Sequence, residues 1–151
     1  MYIKARSLLT KIDLLQAYIE TFNLDVVFVT ETWFHQNVLN GEVNINGYEC
    51  YGQDRADRIG GGVAIYVKTT IQCARLDNIG RFKEALWCKL IIGSEQIVVG
   101  VVYRSPGCKQ DEEDWLTEAL RLSAQNSRIL VIGDLDYPDI DWINWTADKA
   151  W

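Results

Sequence analysis

Apolar positions along the chain change their period, and the changes mark out its elements. Leu8, Ile12, Leu15, Ile19 and Phe22 recur at spacings of 4, 3, 4 and 3, which lays one apolar stripe along a helix. Asn23 is a suitable stop, because asparagine tolerates the left-handed backbone that ends many helices. The next segment, Asp25-Val26-Val27-Phe28-Val29-Thr30, is short and β-branched, with apolar side chains at successive positions. It predicts a strand covered on both faces. A polar loop with Gly and Asn spans residues 37–47.

Beyond that loop the period falls toward 2. Segments 48–51, 63–68, 71–76 and 85–92 read as strands, with Gly60-Gly61-Gly62 allowing a close backbone approach or a bulge. Ile91-Ile92 and residues 97–103 flank Gly93-Ser94-Glu95, a hairpin turn. Helical spacing returns over 111–125 through Trp115, Leu116, Ala119, Leu120 and Leu122, with acidic residues in the first turn to suit the helix dipole. Segment 128–132 is another compact apolar strand, ending at Gly133-Asp134. The order β-α-β, then antiparallel strands, then α-β predicts an α/β fold, a sandwich of mixed sheets rather than a doubly wound sheet.

Composition bounds this picture. A chain of 151 residues with 48% hydrophobic and 24% charged side chains is an ordinary globular domain. Its longest apolar runs, 26–29 and 97–102, are far short of the roughly 20 residues that span a bilayer. Met1-Tyr2-Ile3-Lys4-Ala5-Arg6 has no signal-peptide core behind its positive charges. The expectation is a soluble, non-membrane protein inside the cell. Cys50, Cys73, Cys88 and Cys108 form no CxxC pair, and the lone His35 has no thiol near it in sequence, which disfavours zinc. Free thiols in a reducing compartment fit a chain too large to need disulfides.

Charge is unevenly placed. Residues 1–108 carry 11 basic and 11 acidic side chains, whereas residues 109–151 carry 4 and 10, which accounts for the net charge of −6. A protein held to nucleic acid by many phosphate contacts would be basic. Any nucleic acid here must be held by a few local cations and a metal, or by parts of the protein outside this sequence.

The candidate chemistry sits at strand ends. Glu31 follows the 26–30 strand and Asp134 follows the 128–132 strand; side chains at the carboxyl ends of buried strands open into a crevice. Two carboxylates converging there suit a hard cation such as Mg²⁺. Two solvated residues where strands meet loops would give the same spacing.

Several segments resemble the non-LTR retrotransposon branch of the endonuclease/exonuclease/phosphatase family. They are Ala5-Arg6-Ser7-Leu8 with Lys11-Ile12-Asp13, Thr30-Glu31-Thr32-Trp33, the block from Arg55 through Gly60-Gly61-Gly62 to Val67, Val102-Tyr103-Arg104-Ser105-Pro106, and Ile132-Gly133-Asp134-Leu135-Asp136-Tyr137-Pro138-Asp139-Ile140-Asp141-Trp142. All five run in family order. The resemblance implies a four-layer α/β sandwich that cleaves DNA phosphodiesters with Mg²⁺ or Mn²⁺, in the nucleus if it acts on chromosomal DNA. By it, Glu31 and Asp134 are the metal-side carboxylates, and Asp134 also orients or deprotonates the attacking water. Tyr103 is a phosphate-side hydroxyl, Asp136 a further catalytic position, and Lys4, Arg6 and Arg104 are substrate-binding.

The chain departs from the family pattern in ways that bear on catalysis. Lys4 and Asp136 stand where the family has Asn. An amide offers donors to a phosphate oxygen, whereas ionised Asp only accepts, and losing one transition-state donor costs about 2.7–4 kcal/mol. The family's closing Ser-Asp-His motif has no counterpart, since His35 is the only histidine. The expectation is therefore a partial, C-terminally truncated domain and an impaired endonuclease. Its alternative is an inactive remnant that serves as a binding domain. A truncated domain is also expected to leave a sheet edge unpaired, with Trp142, Trp145 and Trp151 uncovered, and so to self-associate.

Overall fold

Alternation along single strands builds the layers. In β2 (Val26–Thr30), Val27 and Val29 pack with Leu15 and Ile19 of helix α1 (Ile12–Phe22), while Phe28 points the other way. The period of 2 sends successive side chains to opposite faces, so an all-apolar strand serves two cores at once. This computed structural model describes residues 1–35, 38, 40–55, 60–125, 128–137, 140–141 and 143–147.

Two four-stranded sheets result. The first has the order β1-β2-β4-β3, with β1 (Tyr2–Lys4) parallel to β2 and with β4 (Val63–Lys68) and β3 (Tyr48–Gln53) antiparallel. The second has the order β5-β6-β7-β8. There β5 (Gln72–Arg75), β6 (Ala85–Ile92) and β7 (Glu95–Arg104) are antiparallel, and β8 (Ile129–Leu135) lies parallel to β7. Both sheets are mixed. Phe28, Val63, Ile65 and Val67 of the first meet Leu86, Cys88, Leu90, Val99 and Val101 of the second. Helix α3 (Gln110–Ser123) covers the outer face of the second sheet with Leu116 and Ala119 against Trp87, Val98 and Val102. The layers run α1, sheet, sheet, α3.

Most expected elements are present, with shifted ends. The first helix opens with a 3-10 turn, Leu9–Lys11, before α1 proper. Asn23 does end α1, at φ +47°. Phe22, counted in the buried stripe, is instead 61% exposed and stacks on Tyr18 at 5.9 Å between ring centroids. The 37–47 loop contains a short helix, α2 (Asn40–Val43). The chain turns between β6 and β7 at Gly93-Ser94, because Ile92 pairs with Glu95. β8 runs on through Asp134 to Leu135, so Asp134 lies within the strand rather than after it.

All four cysteines are free, and only Cys88 is fully buried. Among the described residues, no helix is long and apolar enough to cross a membrane. A small hairpin, β9 (Ile140–Asp141) and β10 (Thr146–Ala147), follows the second sheet. Ile143 and Trp145 in its turn are 89% and 82% exposed. Trp142 and Trp151 lie outside the described residues.

Candidate active site

Strand parity gathers the candidate residues. Tyr2, Phe28, Val101 and Ile132 all contribute to the layer between the sheets. Two residues further along each strand, on the same face, come Lys4, Thr30, Tyr103 and Asp134. At this end of the sandwich the apolar layer therefore gives way to polar groups contributed by four strands of two sheets. Glu31 joins them directly after β2.

The contacts are close. Lys4 Nζ lies 2.6 Å from Asp134 Oδ2 and 3.2 Å from Glu31 Oε1, and 6.0 Å from the Tyr103 ring centroid. The Tyr2 hydroxyl and Thr30 Oγ1 share a hydrogen bond of 3.0 Å beside them. The two carboxylates thus converge on Lys4. They do so across the sandwich, from different sheets, and not from neighbouring strands of one sheet.

The backbone around Glu31 is bent to hold it there. Glu31 is buried (8% exposed) with φ +54°, and Arg6, Ser7 and Trp33 also have positive φ. Such conformations cost a non-glycine residue about 1–2 kcal/mol each and persist where the surroundings enforce them. Here the Ser7 and Leu8 amides donate to the Glu31 and Thr32 carbonyls at 3.0 and 2.9 Å. On the other side, the Thr32 and Trp33 amides donate to Gly62 and Gly61. Gly62, at φ +79°, is required for this approach: a Cβ there would lie 2.5 Å from Thr32 Oγ1.

Electrostatics favour a charged lysine. The hydrogen bond to Asp134 is the largest influence on Lys4 and, with Glu31, pushes its pKa up to about 12 against the opposing effect of burial. Burial raises the Tyr103 phenol, and the facing Glu31 carboxylate raises it further. Tyr2 is raised by burial too, partly offset by the Thr30 hydroxyl. Each folded-state pKa lies above its ordinary value, so each group contributes stability that is complete below that value and lost as pH rises through the folded one. The native state should hold from neutral pH to about 10 and weaken between about 10 and 12. Chemical denaturation at stepped alkaline pH checks this; an unchanged midpoint across that window would refute it. Lys4→Met should flatten its own part of the loss.

The remaining expected residues lie elsewhere. Arg104, expected at the substrate, is one residue past Tyr103 and so faces α3. It is 7% exposed, donates from Nε to Glu113 Oε1 at 2.5 Å, from Nη1 to the Asp136 carbonyl, and stacks on Tyr137 at 4.0 Å. Its donors hold the segment after β8 in place and are not presented to the crevice. Arg6 is solvent-exposed in the turn after β1, where its carbonyl accepts from Lys11 Nζ at 2.9 Å. Asp136 is exposed just beyond β8. Sequence reasoning missed Tyr2 and Thr30, which a strict count of 2 back from Lys4 and 1 back from Glu31 would have found. It also missed the ion pair between half-buried Arg55 Nε and buried Glu84 Oε1 (2.6 Å) beside Gly61.

The residues present do not fit a divalent cation shared by Glu31 and Asp134, as the sequence had suggested. Inner-sphere Mg²⁺ needs carboxylate oxygens about 2.0–2.1 Å away, and the Lys4 ammonium already touches both. Among the described residues, no group of three or more His, Cys, Asp and Glu gathers where a metal could be held.

Comparison with known proteins agrees with the fold. The model of the Endonuclease/Exonuclease/phosphatase family matches residues 4–150. No curated protein matches the chain. Among solved structures, the endonuclease domain of TRAS1, a telomere-specific non-LTR retrotransposon, superposes with a TM-score of 0.65 at 14% identity, covering 88% of this chain and 56% of that one. The AP endonuclease LMAP from Leishmania major gives 0.71 at 17% identity, covering 89% and 54%. The 3'-5' exonuclease NExo from Neisseria meningitidis gives 0.64 at 17%, covering 92% and 57%. The chain thus spans little more than half the length of these structures, and at such identities the likeness is one of fold.

Proposed function

The chain belongs to the endonuclease/exonuclease/phosphatase family, and on that premise we propose that it carries the phosphodiester-cleaving site of a retrotransposon-type DNA endonuclease in an impaired form. The observation that carries this reading is the convergence of Lys4, Glu31, Tyr103 and Asp134 from two sheets at one end of the sandwich. DNA is the proposed substrate, reached in the nucleus if the target is chromosomal.

The roles follow from chemistry and position. Asp134 is the carboxylate placed to orient and deprotonate an attacking water, since it is partly open to the crevice while its backbone is fixed within β8. Tyr103 supplies a hydroxyl toward a phosphate oxygen, and burial keeps that hydroxyl protonated as a donor. Two side chains impair the site directly. Lys4 holds the Asp134 oxygen that a water would need. Asp136 brings an acceptor-only carboxylate beside an anionic substrate where an amide would donate.

Plasmid nicking tests the reading. The purified chain is expected to give no measurable Mg²⁺-dependent conversion of supercoiled to open-circular DNA. Robust nicking that Glu31→Ala abolishes would show a working nuclease and overturn the impairment.

We also propose self-association through the β8 edge. β8 ends the second sheet among the described residues, and its Ile129 and Leu130 are 37% and 46% exposed. Unpaired edges with apolar side chains invite pairing between chains. Sedimentation velocity should show species larger than a monomer, reduced by Leu130→Lys; a monodisperse monomer would count against the proposal.

A further inference from the structure

We propose that the Lys4 ammonium is a tethered cation that takes the place of a divalent ion between Glu31 and Asp134, holding the two sheets together there and closing the site to metal. The inference rests on the active-site reading above, but its test needs no cleavage. Three observations carry it. Lys4 Nζ contacts both carboxylates at once, at 3.2 and 2.6 Å. Those carboxylates are largely covered, with side-chain exposures of 11% and 23%, and they belong to different sheets. Lys4 is also no free rim lysine: its backbone is paired with Thr30 in β1–β2, so its side chain enters the crevice from a fixed point.

The charge count shows what the lysine does and does not accomplish. One ammonium set against two carboxylates leaves a net charge of −1. Without it, two partly buried carboxylates would face each other across the sandwich, which disfavours the folded state. With it, a divalent ion must displace a charged group that is anchored to the same cluster. A neutral amide at position 4 changes both terms. It raises the cluster to −2 and supplies an oxygen, which together with waters matches what Mg²⁺ or Mn²⁺ accepts. The structure thus assigns to one residue both the integrity of the cluster and its indifference to metal.

Mn²⁺ is the probe, read by electron paramagnetic resonance and by thermal unfolding of the whole chain. The wild-type chain should leave Mn²⁺ free and keep its Tm in millimolar Mn²⁺. Lys4→Asn should unfold at a lower temperature without metal, recover several degrees in Mn²⁺, and bind the ion roughly tenfold or more tightly than wild type. Lys4→Arg, which keeps the charge, should stay blind to Mn²⁺. If Lys4→Asn fails to fold without metal, folding on addition of Mn²⁺ is the expected result. Stoichiometric Mn²⁺ binding by the wild-type chain that Glu31→Gln removes would overturn the inference. So would a folded Lys4→Asn with no Mn²⁺ response, or an unfolded one that Mn²⁺ does not rescue. Absence of nicking in every variant would bear on the nuclease reading alone.

Discussion

Asp136→Asn alone should leave plasmid DNA as intact as the parent chain does, whereas Lys4→Asn and Asp136→Asn together should raise Glu31-dependent nicking by about 10²-fold or more over either single change. The asymmetry follows from where the two residues sit. Asp136 is exposed beyond the end of β8, so its reversion removes a repulsive charge and returns a donor. Asp134, the carboxylate proposed to orient the water, is still engaged by Lys4 at 2.6 Å. One well-placed donor is worth roughly 10²–10³ in rate when the rest of the site operates, and close to nothing when the nucleophile's partner is blocked. Groups that act as a unit are not additive. Lys4→Asn alone frees Asp134 but leaves the repulsive Asp136 in place. Adding Glu31→Ala to the double variant should return nicking to background. Full activity on reverting Asp136 alone would show that the Lys4 contacts do not matter for turnover.

The layers and most strand positions were legible because period and β-branching are local signals. An apolar run such as Val26–Val29 can only be satisfied between two cores. The site was legible in its members and less so in its geometry. Glu31, Tyr103 and Asp134 could be picked from motif order, but their meeting across two sheets depends on long-range stacking that no spacing encodes. Arg104 illustrates the limit. The resemblance implies a substrate-binding role for it, while a single step along a strand reverses the face and delivers it to Glu113 on α3. Phe22 shows the converse: it has the right helical spacing but is exposed, stacked on Tyr18. In the sequence Lys4 reads only as a replaced amide, because its ion pairs with two carboxylates distant in sequence are a property of the folded chain alone.

Trp87→Ala should cost about 3–5 kcal/mol of stability, and it should also reverse the sign of a second substitution, Gly100→Ala. Trp87 is 3% exposed and fills the layer between the second sheet and α3 with Phe82, Val98, Val102, Leu116 and Ala119. Its partner across β6–β7 is Gly100. A Cβ built on Gly100 would lie 2.3 Å from Trp87 Cζ3 and 2.4 Å from Cε3, so the indole rests directly on the glycine backbone. In the parent chain, Gly100→Ala must push a buried ring against α3, an overpacking expected to cost about 1–3 kcal/mol. Once the indole is gone that obstacle vanishes. The added methyl then fills part of the cavity, and alanine's smaller backbone entropy loss in a strand contributes roughly 0.5–1 kcal/mol. The indole Nε1 has no hydrogen-bond partner among the described residues, so its removal also relieves an unpaired buried donor and places the single variant toward the lower end of its range. Urea denaturation of the four chains closes the cycle, with an expected coupling of about 2–3 kcal/mol. An equal cost for Gly100→Ala with and without Trp87 would mean that the ring does not depend on the missing Cβ, and that α3 packs on this sheet in some other way.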